Sequence, residues 1–493
     1  MVGVQGNALV PLALLGSVPL ISWLFGKVQP GKAAAIAFVL AWMFLPVASI
    51  PLKGLPDFTK VTVTCTAILL AAWRSDRQRL RSFRFMGVDV PMLLWCTCPF
   101  LSSVVNGLGA YDGISESMYQ SFTWGLPYFV ARIYFSDLHG LNTLGTVVFL
   151  GGLLYIPFCL VEMMMSPQLH RWTYGFHQHS ILQSMRDGGF RPMVYMEHGL
   201  MVAMWMVSGS ILGVWMNRAK ILPECIGGLP WGGYVRKIPF RLLLAGLLAT
   251  TLLMRSSGAM FLFITGLGVL FISTKSKSVL LVWLLLAVPP AYMVSRGTGW
   301  WTGENLSAAI ADKFSAERAQ SLQFRFDNET MLVKKALAGT FFGWGGWNRS
   351  RVFDQDGRDL SVTDGLWIIT LGTKGIYGLV LLTLVISLPV YLLLYRTAPG
   401  QWRTAEYGAV SAMSVLLALY MIDNLLNGMV NPIFMLFNGG ICGLLAKGVS
   451  GDAAVAGMVL ERGGAAATED MRWINATSRP LATRFLTAPR GKK

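Results

Sequence analysis

Three arginines are the residues of this chain that are most suited to binding an anionic group. Arg191 precedes a proline, Arg255 interrupts an apolar run, and Arg325 lies in a long polar segment. A guanidinium group binds phosphate oxygens bidentately, and a charge beside a membrane span is costly and tends to mark a substrate path. We therefore expect all three to contact a phosphate-bearing substrate. The alternative is that their side chains reach the phosphates of the surrounding lipid.

Glu197, His198 and Asp364 are the candidate groups for proton transfer. Glu197 and His198 are predicted to lie in the first turns of a membrane span, where Arg191 and His198 would share a helix face because seven residues separate them. A Glu–His pair in a span is either a catalytic group or part of a buried ion pair between helices. Asp364 precedes an apolar helix, where a carboxylate can be a helix N-cap or a general base.

The remaining polar clusters predict no metal and no cofactor. His170, His177 and His179 share one polar segment, but no carboxylate pattern completes a metal site, so we expect a solvated loop. The six cysteines lack zinc spacing, and five of them fall in apolar runs, which predicts packing residues without disulfides. The Gly- and Trp-rich run at 342–349 has no Gly-Lys-Ser/Thr of a nucleotide loop, and its tryptophans favour either a membrane interface or stacking on sugars.

The elements that must position these residues are membrane-spanning helices. Of 493 residues, 54% are hydrophobic and 13% are charged, with 41 Lys and Arg against 25 Asp and Glu and a net charge of +16. This composition excludes a disordered chain, a disulfide scaffold and an ordinary soluble enzyme. Apolar runs of about 20 residues predict an all-α, polytopic transmembrane bundle. Thirteen spans are predicted, at 8–25, 33–50, 59–73, 91–105, 118–135, 143–164, 193–216, 240–254, 257–273, 279–295, 374–395, 406–426 and 431–447.

Short basic loops orient these spans. Residues 74–84 contain five Arg and one Asp, and the basic residues of three later loops fall on the same side. The positive-inside rule predicts that this side is cytoplasmic, so the excess positive charge requires no nucleic acid partner. The N-terminus lacks a basic n-region and a cleavage site, which indicates a retained first span and no cleaved signal peptide.

The spans divide the chain into four parts. Residues 1–295 contain ten spans, 296–363 form one extracytoplasmic loop, 364–447 contain the last three spans, and 448–493 are predicted to be a flexible cytoplasmic tail. The loop is nearly neutral, with nine Lys and Arg against eight Asp and Glu. Long ordered loops are usually functional. Within it, four apolar residues share one helix face, which predicts an amphipathic helix on the outer membrane surface: Leu322, Phe326, Val333 and Leu337.

This arrangement resembles the O-antigen ligase / O-antigen polymerase superfamily of bacterial surface-polysaccharide proteins. The resemblance covers residues 250–385 and rests on a basic residue beside a small-residue run, an arginine on a loop helix, a Gly-rich turn, and a polar residue that opens a helix. These motifs are Arg255-Ser256-Ser257-Gly258-Ala259, Phe324-Arg325-Phe326, Phe342-Gly343-Trp344-Gly345-Gly346-Trp347, and Thr363-Asp364-Gly365 leading into Leu371-Gly372-Thr373-Lys374-Gly375-Ile376-Tyr377-Gly378-Leu379.

The resemblance implies a glycosyltransferase of the bacterial inner membrane that needs no metal or nucleotide sugar. Its donor would be an undecaprenyl-diphosphate-linked oligosaccharide, and its partners would be an acceptor glycan or lipid, membrane lipids and a chain-length regulator. Arg255 and Arg325 match the arginines that hold the diphosphate in the family, although Arg255 is slightly displaced. Asp364 stands where the family has a histidine as the proposed base, so the base assignment departs from the family pattern.

The expected reaction is glycan transfer with inversion at the outer face of the membrane. Arg191, Arg255 and Arg325 would hold the diphosphate, while Asp364, or Glu197 with His198, would deprotonate the acceptor hydroxyl. The sequence does not separate a ligase from a polymerase. A transporter or flippase for a polysaccharide precursor is the alternative, but it predicts inverted repeats and polar residues that line a path to both faces. Here no repeat is apparent, and the polar residues cluster on one face.

Overall fold

The chain folds into an all-α helical bundle, as the sequence predicts. The structure is a computed structural model that describes residues 5–52, 55–186, 188–226, 230–231, 234–235, 238–313 and 316–448. Of the predicted tail, only Gly448 lies within these ranges, so the prediction for the tail falls outside the described residues. The described part contains eighteen α-helices and four two-stranded antiparallel ribbons.

The helices are listed here in chain order. They are α1 (Leu9–Lys27), α2 (Pro30–Phe44), α3 (Lys60–Ser75), α4 (Arg77–Ser82), α5 (Val90–Val105), α6 (Ala110–Gln120), α7 (Leu126–Tyr134), α8 (Leu138–Met165), α9 (Leu169–Tyr174), α10 (Gly199–Arg218), α11 (Phe240–Leu252), α12 (Ser257–Ser276), α13 (Leu280–Gly297), α14 (Glu304–Lys313), α15 (Ala316–Leu337), α16 (Leu366–Arg396), α17 (Gly408–Leu426) and α18 (Pro432–Lys447).

The ribbons are short and lie in the connections between helices. Strand β1 pairs with β2, β3 with β4, β5 with β8, and β6 with β7. Their bounds are β1 (Ser49–Leu52), β2 (Leu55–Thr59), β3 (Met185–Arg186), β4 (Gly189–Phe190), β5 (Cys225–Ile226), β6 (Pro230–Trp231), β7 (Tyr234–Val235) and β8 (Ile238–Pro239). In the ribbon that matters for the site, Met185 is opposite Phe190 and Arg186 is opposite Gly189.

Eight helical segments among the described residues are long and apolar enough to cross a membrane. They are α1, α5 with its preceding turn, α8, α10, α12, α13, α16 and α17. Helices α2, α11 and α18 are also apolar but shorter. Each of the thirteen predicted spans contains helix at its predicted position. The other five predicted spans correspond to α2, α3, α6 with α7, α11 and α18. That these segments also cross the membrane stays a prediction.

The centre of the bundle is formed by α10 and α17, which are almost wholly buried. Small residues on α10 let neighbouring helices approach closely, since a Cβ at Gly209 would lie 3.5 Å from the Cα of Gly152 on α8. Helix α1 lies at the periphery and exposes large side chains such as Leu12, Leu20 and Trp23, as expected for a surface that contacts lipid.

The predicted spans run in alternating directions, so the bundle has two ends. We call one the loop end, where the connections α8–α10, α11–α12, α13–α16 and α17–α18 lie, and the opposite one the basic end. Each of the seven spans that finish at the basic end has a basic residue in its last turn. These residues are Lys27, Arg74, Arg132, Arg218, Lys275, Arg396 and Lys447. Of the spans that finish at the loop end, only α13 has one, Arg296, among the described residues.

Four spans differ from their predicted form. The helix of the span predicted at 33–50 ends at Phe44, and β1 begins at Ser49. Residues 118–135 are not one α-helix, because a π-helical segment at Ser121–Gly125 separates α6 from α7. Helix α16 begins at Leu366, earlier than predicted, and kinks at Gly375. Helix α10 begins at Gly199 rather than at 193. The buried Glu162 carboxylate accepts the N–H groups of Met193 and Val194, so this backbone bonds to α8 instead of forming a helical turn.

Candidate functional site

Four arginines come together at the loop end of the bundle. The Nη2 of Arg191 donates to the carbonyl oxygen of Arg255 at 3.0 Å, and the Nη1 of Arg255 donates to the carbonyl oxygen of Arg186 at 3.1 Å. The charges of Arg186, Arg191 and Arg325 all act on the ring of His198. The structure therefore brings the three predicted arginines into one cluster and adds Arg186.

Different local structures hold these four side chains. Arg186 is on β3, and Arg255 occupies the turn between α11 and α12 with a φ of 50°. The guanidinium of Arg255 packs against Gly189 of β4, where any side chain would collide with it. Arg191 follows β4 and is only 8% exposed. The ribbon β3–β4 and the α11–α12 turn thus position three of the four arginines through backbone contacts.

His198 is the N-cap of α10, and the predicted shared helix face with Arg191 is wrong. Its Nδ1 accepts the N–H of Leu200 at 3.0 Å, and its ring meets that of His179 edge to face, with centroids 4.8 Å apart. Met193 and Val194 bond to Glu162, and α10 begins only at Gly199, so Arg191 and His198 lie in the segment before the helix and share no helix face. An N-cap is a common place for a side chain that accepts a hydrogen bond.

The surroundings of His198 keep its ring neutral. Burial, and after it the electrostatic effect of His179, Arg191, Arg186 and Arg325, lowers its pKa to about 4. In a neutral imidazole one nitrogen accepts and the other donates. Since Nδ1 accepts from Leu200, the proton is on Nε2. His198 therefore offers one N–H donor beside the arginine cluster.

Glu197 faces a different neighbourhood. Its side chain is exposed, and its charge acts on Lys60 at the start of α3 and on Tyr119 of α6. Lys60 is buried and donates to the carbonyl oxygen of Tyr195 at 3.0 Å. Although Glu197 and His198 are adjacent in the sequence, their side chains lie in different surroundings and do not form one catalytic pair.

Asp364 lies against Arg325, and its predicted alternative role as an N-cap is wrong. Gly365 is the N-cap of α16, and the Oδ2 of Asp364 instead lies 3.4 Å from the Nε of Arg325. The two side chains are 38% and 30% exposed, so solvent or a ligand can reach both. Arg325 also interacts electrostatically with Asp423 near the end of α17, a carboxylate that the sequence analysis missed.

A buried ion pair holds the helix that carries Arg325. The Nε of Arg296, at the end of α13, lies 3.1 Å from Oε2 of Glu329 on α15. Glu329 also accepts the hydroxyl of Tyr292 at 2.7 Å and the indole N–H of Trp367 at 3.1 Å. One carboxylate thus connects α15 to α13 and to α16, and fixes where Arg325 stands relative to Asp364.

The predicted amphipathic helix exists, but part of its apolar face packs on protein. Phe326 and Val333 of α15 are buried, whereas Leu337 is exposed. Phe326 packs edge to face on Trp301, with centroids 5.5 Å apart, and the guanidinium of Arg296 lies 5.0 Å from its ring centroid. Part of the predicted apolar face therefore docks on the bundle, and contact of α15 with the outer membrane surface stays a prediction.

The Gly- and Trp-rich run packs against the kink of α16 and hydrogen-bonds to its backbone. The N–H groups of Trp344 and Gly345 donate to the carbonyl oxygens of Gly372 and Thr373 at 2.9 and 3.0 Å. A Cβ at Gly375 would collide with the carbonyl oxygen of Phe341, so this approach needs glycine. The run therefore has a structural role at the kink of α16, and its exposed residues are Trp347, Asn348 and Arg349.

One residue of the histidine cluster, His170, does not lie in the solvated loop that the sequence predicts, whereas His177 and His179 are partly exposed. His170 is buried; its Nε2 accepts the N–H of Val47 at 3.1 Å, and its Nδ1 bonds to the carbonyl oxygen of Phe176 at 2.9 Å. Burial lowers the pKa of His170 to about 4. Within the described ranges, no group of three or more His, Cys, Asp or Glu side chains could hold a metal ion, and all six cysteines are free.

Comparison with known proteins places the chain in no family. No protein-family model matches it, and no curated protein matches it. The resemblance to the O-antigen ligase / O-antigen polymerase superfamily therefore stays a prediction, and the chemistry of the loop end has to carry any functional argument.

Proposed function

We propose that this protein is a membrane glycosyltransferase that uses a polyprenyl-diphosphate-linked glycan as its donor. The observation that carries the proposal is the cluster of Arg186, Arg191, Arg255 and Arg325 at one end of a membrane bundle, beside the neutral donor His198. Such a set of donors matches the oxygens of a diphosphate. The carboxylate of Asp364 lies within the same cluster.

The arginines would stabilise the leaving group. When the bond between the anomeric carbon and the diphosphate oxygen breaks, negative charge builds on that oxygen, and donors already in place stabilise it without reorganisation. The Nε2–H of His198 adds a neutral donor to this set. Because Nδ1 of His198 is occupied by the N–H of Leu200, His198 is better suited to donating than to accepting a proton.

Asp364 is the group that would act as base. Its carboxylate is accessible, and Arg325 orients it through their ion pair. It would take the proton of the acceptor hydroxyl as that oxygen forms a bond to the anomeric carbon, while the polyprenyl diphosphate departs from the opposite face. The product would be an inverted glycosidic bond, and the departing diphosphate would stay in the arginine cluster. Glu197, which faces Lys60 and Tyr119, would have no part in this step.

The surroundings of Arg255 support a substrate whose tail stays in the membrane. Leu252 and Leu253, at the end of α11 and separated from Arg255 by the buried Met254, are exposed, as expected for side chains that contact lipid. A polyprenyl chain could therefore remain in the bilayer while its diphosphate reaches the cluster from the side. In the proposed setting, the bacterial inner membrane, the loop end faces outward, and the protein either ligates or polymerises surface polysaccharide with an acceptor glycan or lipid.

The test is a reconstituted assay with full-length protein in liposomes, a radiolabelled undecaprenyl-diphosphate oligosaccharide and an acceptor. Wild type should form a product of altered chain length or a glycan-acceptor adduct. Arg255→Ala and Arg325→Ala should each lower the rate by about 10²- to 10³-fold, by analogy with loss of an oxyanion donor. Arg358→Ala removes an exposed charge from the same polar segment and should leave the rate unchanged.

Three other outcomes would contradict parts of the proposal. If Arg255→Ala and Arg325→Ala both keep the wild-type rate, the cluster does not hold the diphosphate. If Asp364→Asn keeps full activity while Glu197→Gln loses it, the base is misassigned. If the labelled lipid crosses the bilayer without any change in linkage, the protein is a transporter for the precursor and not a transferase.

A further inference from the structure

A cavity of about 220 Å³ opens at the basic end, on the opposite side of the bundle from the arginine cluster. The first turns of α2 and α8, the end of α7 and one side chain of α4 surround it. Its polar lining includes Lys32, Arg79, Tyr134 and His139. The proposed transferase reaction makes no use of this cavity.

The first feature of this cavity is the N-terminus of α2. The helix begins at Pro30, and its first intrahelical bond runs from the N–H of Ala33 to the carbonyl oxygen of Gln29 at 2.8 Å. The N–H groups of the first turn point out of the helix end, where the helix dipole is positive. Gly31 and Lys32, which carry those groups, line the cavity. A helix start of this kind favours an anion but does not by itself make a binding site.

The second feature is the hydroxyl of Tyr134. This side chain lines the cavity and is 2% exposed, yet its hydroxyl has no hydrogen-bond partner among the described residues. A buried hydroxyl without a partner is unfavourable, and natural proteins rarely keep one without a reason. An anion oxygen in the cavity would accept this hydrogen bond, so the missing partner points to a ligand.

The charges around the cavity have the sign that an anion requires. The guanidinium of Arg79 lies 5.5 Å from the ring centroid of Tyr134, and Lys32 and His139 complete the polar wall. Asp137 also lines the cavity, but its carboxylate already accepts the N–H of Gly140 at 2.7 Å and lies 3.6 Å from Nζ of Lys447. Arg79 itself pairs with Asp76, which does not line the cavity, with Nε 3.5 Å from Oδ2. Within the lining, Lys32 and Arg79 outnumber the one carboxylate, Asp137, which donors already engage.

The location of the cavity indicates where the anion comes from. Phe25 of α1 packs edge to face on Tyr134, with centroids 5.9 Å apart, and the same helix exposes Leu20 and Trp23 and ends at Lys27. An exposed tryptophan followed by a lysine at a span end is typical of the level of lipid headgroups. We propose that this cavity binds a phosphate group carried by the headgroup of an anionic membrane lipid at the basic end.

The experiment measures lipid binding to the full-length protein in a neutral detergent. Phosphatidylglycerol, phosphatidylcholine or inorganic phosphate is added, and the shift in Tm and the bound lipid in native mass spectra are recorded. Phosphatidylglycerol should bind, phosphatidylcholine should bind much more weakly, and inorganic phosphate should give little shift. Arg79→Gln should weaken phosphatidylglycerol binding by about tenfold or more, because it removes a charge-assisted bond to the phosphate.

Two further variants complete the test. Arg81→Gln removes the same charge from the same short helix, but Arg81 does not line the cavity, so lipid binding should stay at the wild-type level. Tyr134→Phe removes only the hydroxyl, so it should leave the lipid-free Tm unchanged or raised and should weaken lipid binding severalfold. Equal binding by wild type, Arg79→Gln and Tyr134→Phe would overturn the site, and a Tm shift by inorganic phosphate as large as that by the lipid would overturn the lipid assignment.

Discussion

His198 makes two kinds of hydrogen bond, one that caps α10 and one proposed to the substrate, and substitutions can test them separately. Nδ1 caps α10 through the N–H of Leu200, and Nε2–H is directed to the substrate in the proposed reaction. Asparagine supplies both an acceptor for the cap and an N–H donor, whereas alanine supplies neither. We expect His198→Asn to keep a substantial part of the transfer rate and His198→Ala to lose about tenfold or more and to lower stability by about 1 kcal/mol.

The comparison of these two variants also decides between a donor and a base. Asparagine cannot take up a proton, so a reaction that uses His198 as its base would lose its activity in both variants. Transfer rates measured from pH 6 to pH 9 in liposomes, with Tm as the check on folding, are the measurement. Equal and near-complete loss in both variants, with normal Tm in His198→Asn, would contradict the donor role.

Arg186 is the arginine of the cluster that was not predicted, and it provides an independent test. Its charge acts on His198, and its carbonyl oxygen accepts from Arg255. Substituting alanine keeps the backbone carbonyl and removes only the charge. We expect Arg186→Ala to lower the transfer rate by about tenfold, less than the loss for Arg325, because the exposed side chain is partly screened by solvent. Arg171→Ala, an exposed arginine of α9 in the same connection, is the matched control.

Arg255 could be predicted from the sequence and Arg186 could not, and this difference has a physical cause. Arg255 stands out in the sequence because an arginine in an apolar run is costly and therefore conspicuous. Arg186 lies in a polar segment where arginine is common, and only the pairing of β3 with β4 brings it to Arg255. Asp423 was detectable in principle, since it is a carboxylate near the end of an apolar helix. Asp364 was found, but its contact with Arg325 was not, because 38 intervening residues separate them in sequence.

At the scale of elements, the Arg296–Glu329 pair fixes the position of α15. Both side chains are buried, and Glu329 is held from α13 and α16 at once. Glu329→Gln would leave the charge of Arg296 buried without its counter-charge, which typically lowers stability by about 3–5 kcal/mol. We expect a large decrease in Tm together with a loss of transfer activity, because Arg325 is on the same helix.

A matched variant on the same helix tests whether this effect belongs to the pair. Lys334→Gln also removes one charge from α15, but Lys334 is exposed and should leave both Tm and the transfer rate unchanged. If Glu329→Gln has a wild-type Tm, the pair does not hold α15, and the explanation of how Arg325 is positioned would be wrong.

Gly375 is the second element-scale position that can be tested. Its φ of 66° and ψ of −164° let the run Phe341–Gly345 dock on the kink of α16. Alanine there would be strained by about 1–3 kcal/mol and would also collide with the carbonyl oxygen of Phe341. Gly375→Ala should therefore lower Tm clearly. Gly246→Ala on α11, where a Cβ meets no atom within 4 Å, should not, and similar Tm values for the two variants would contradict the account of the kink.

Hydrophobic runs locate the helices well but do not define where they start. The apolar stretch from 193 predicts helix, yet α10 begins six residues later because Glu162 of α8 accepts the N–H groups of Met193 and Val194. The same limit applies to the Gly-rich run, whose tryptophans were interpreted as candidates for sugar or interface contacts. Trp344 instead donates its indole N–H to the carbonyl oxygen of Lys335, and the Lys335 ammonium lies 4.0 Å from the centroid of its ring. Long-range backbone contacts of this kind leave no local pattern.

At the scale of the whole molecule, the excess of positive charge is concentrated at one end. All seven predicted spans that finish at the basic end have a basic residue in the last turn. Such residues complement the negative end of the helix dipole. They also favour a cytoplasmic location of the loop that follows the span. The loop end carries its arginines in a compact cluster instead, beside Asp364 and His198. We therefore interpret the net charge as a result of the predicted orientation, and the arginine cluster as the site of the proposed chemistry.

Cysteine labelling tests this orientation directly. Cys225, on β5 at the basic end, is exposed, while the other five cysteines are buried. A membrane-impermeant maleimide should therefore label the wild-type protein only after the cells are permeabilised. The variant Cys225→Ala with Gln355→Cys places the thiol on an exposed position of the α15–α16 connection, and it should be labelled in intact cells. Labelling of Cys225 in intact cells would invert the topology, because the arginine cluster would then face the cytoplasm and could not receive a lipid-linked glycan from the outer leaflet.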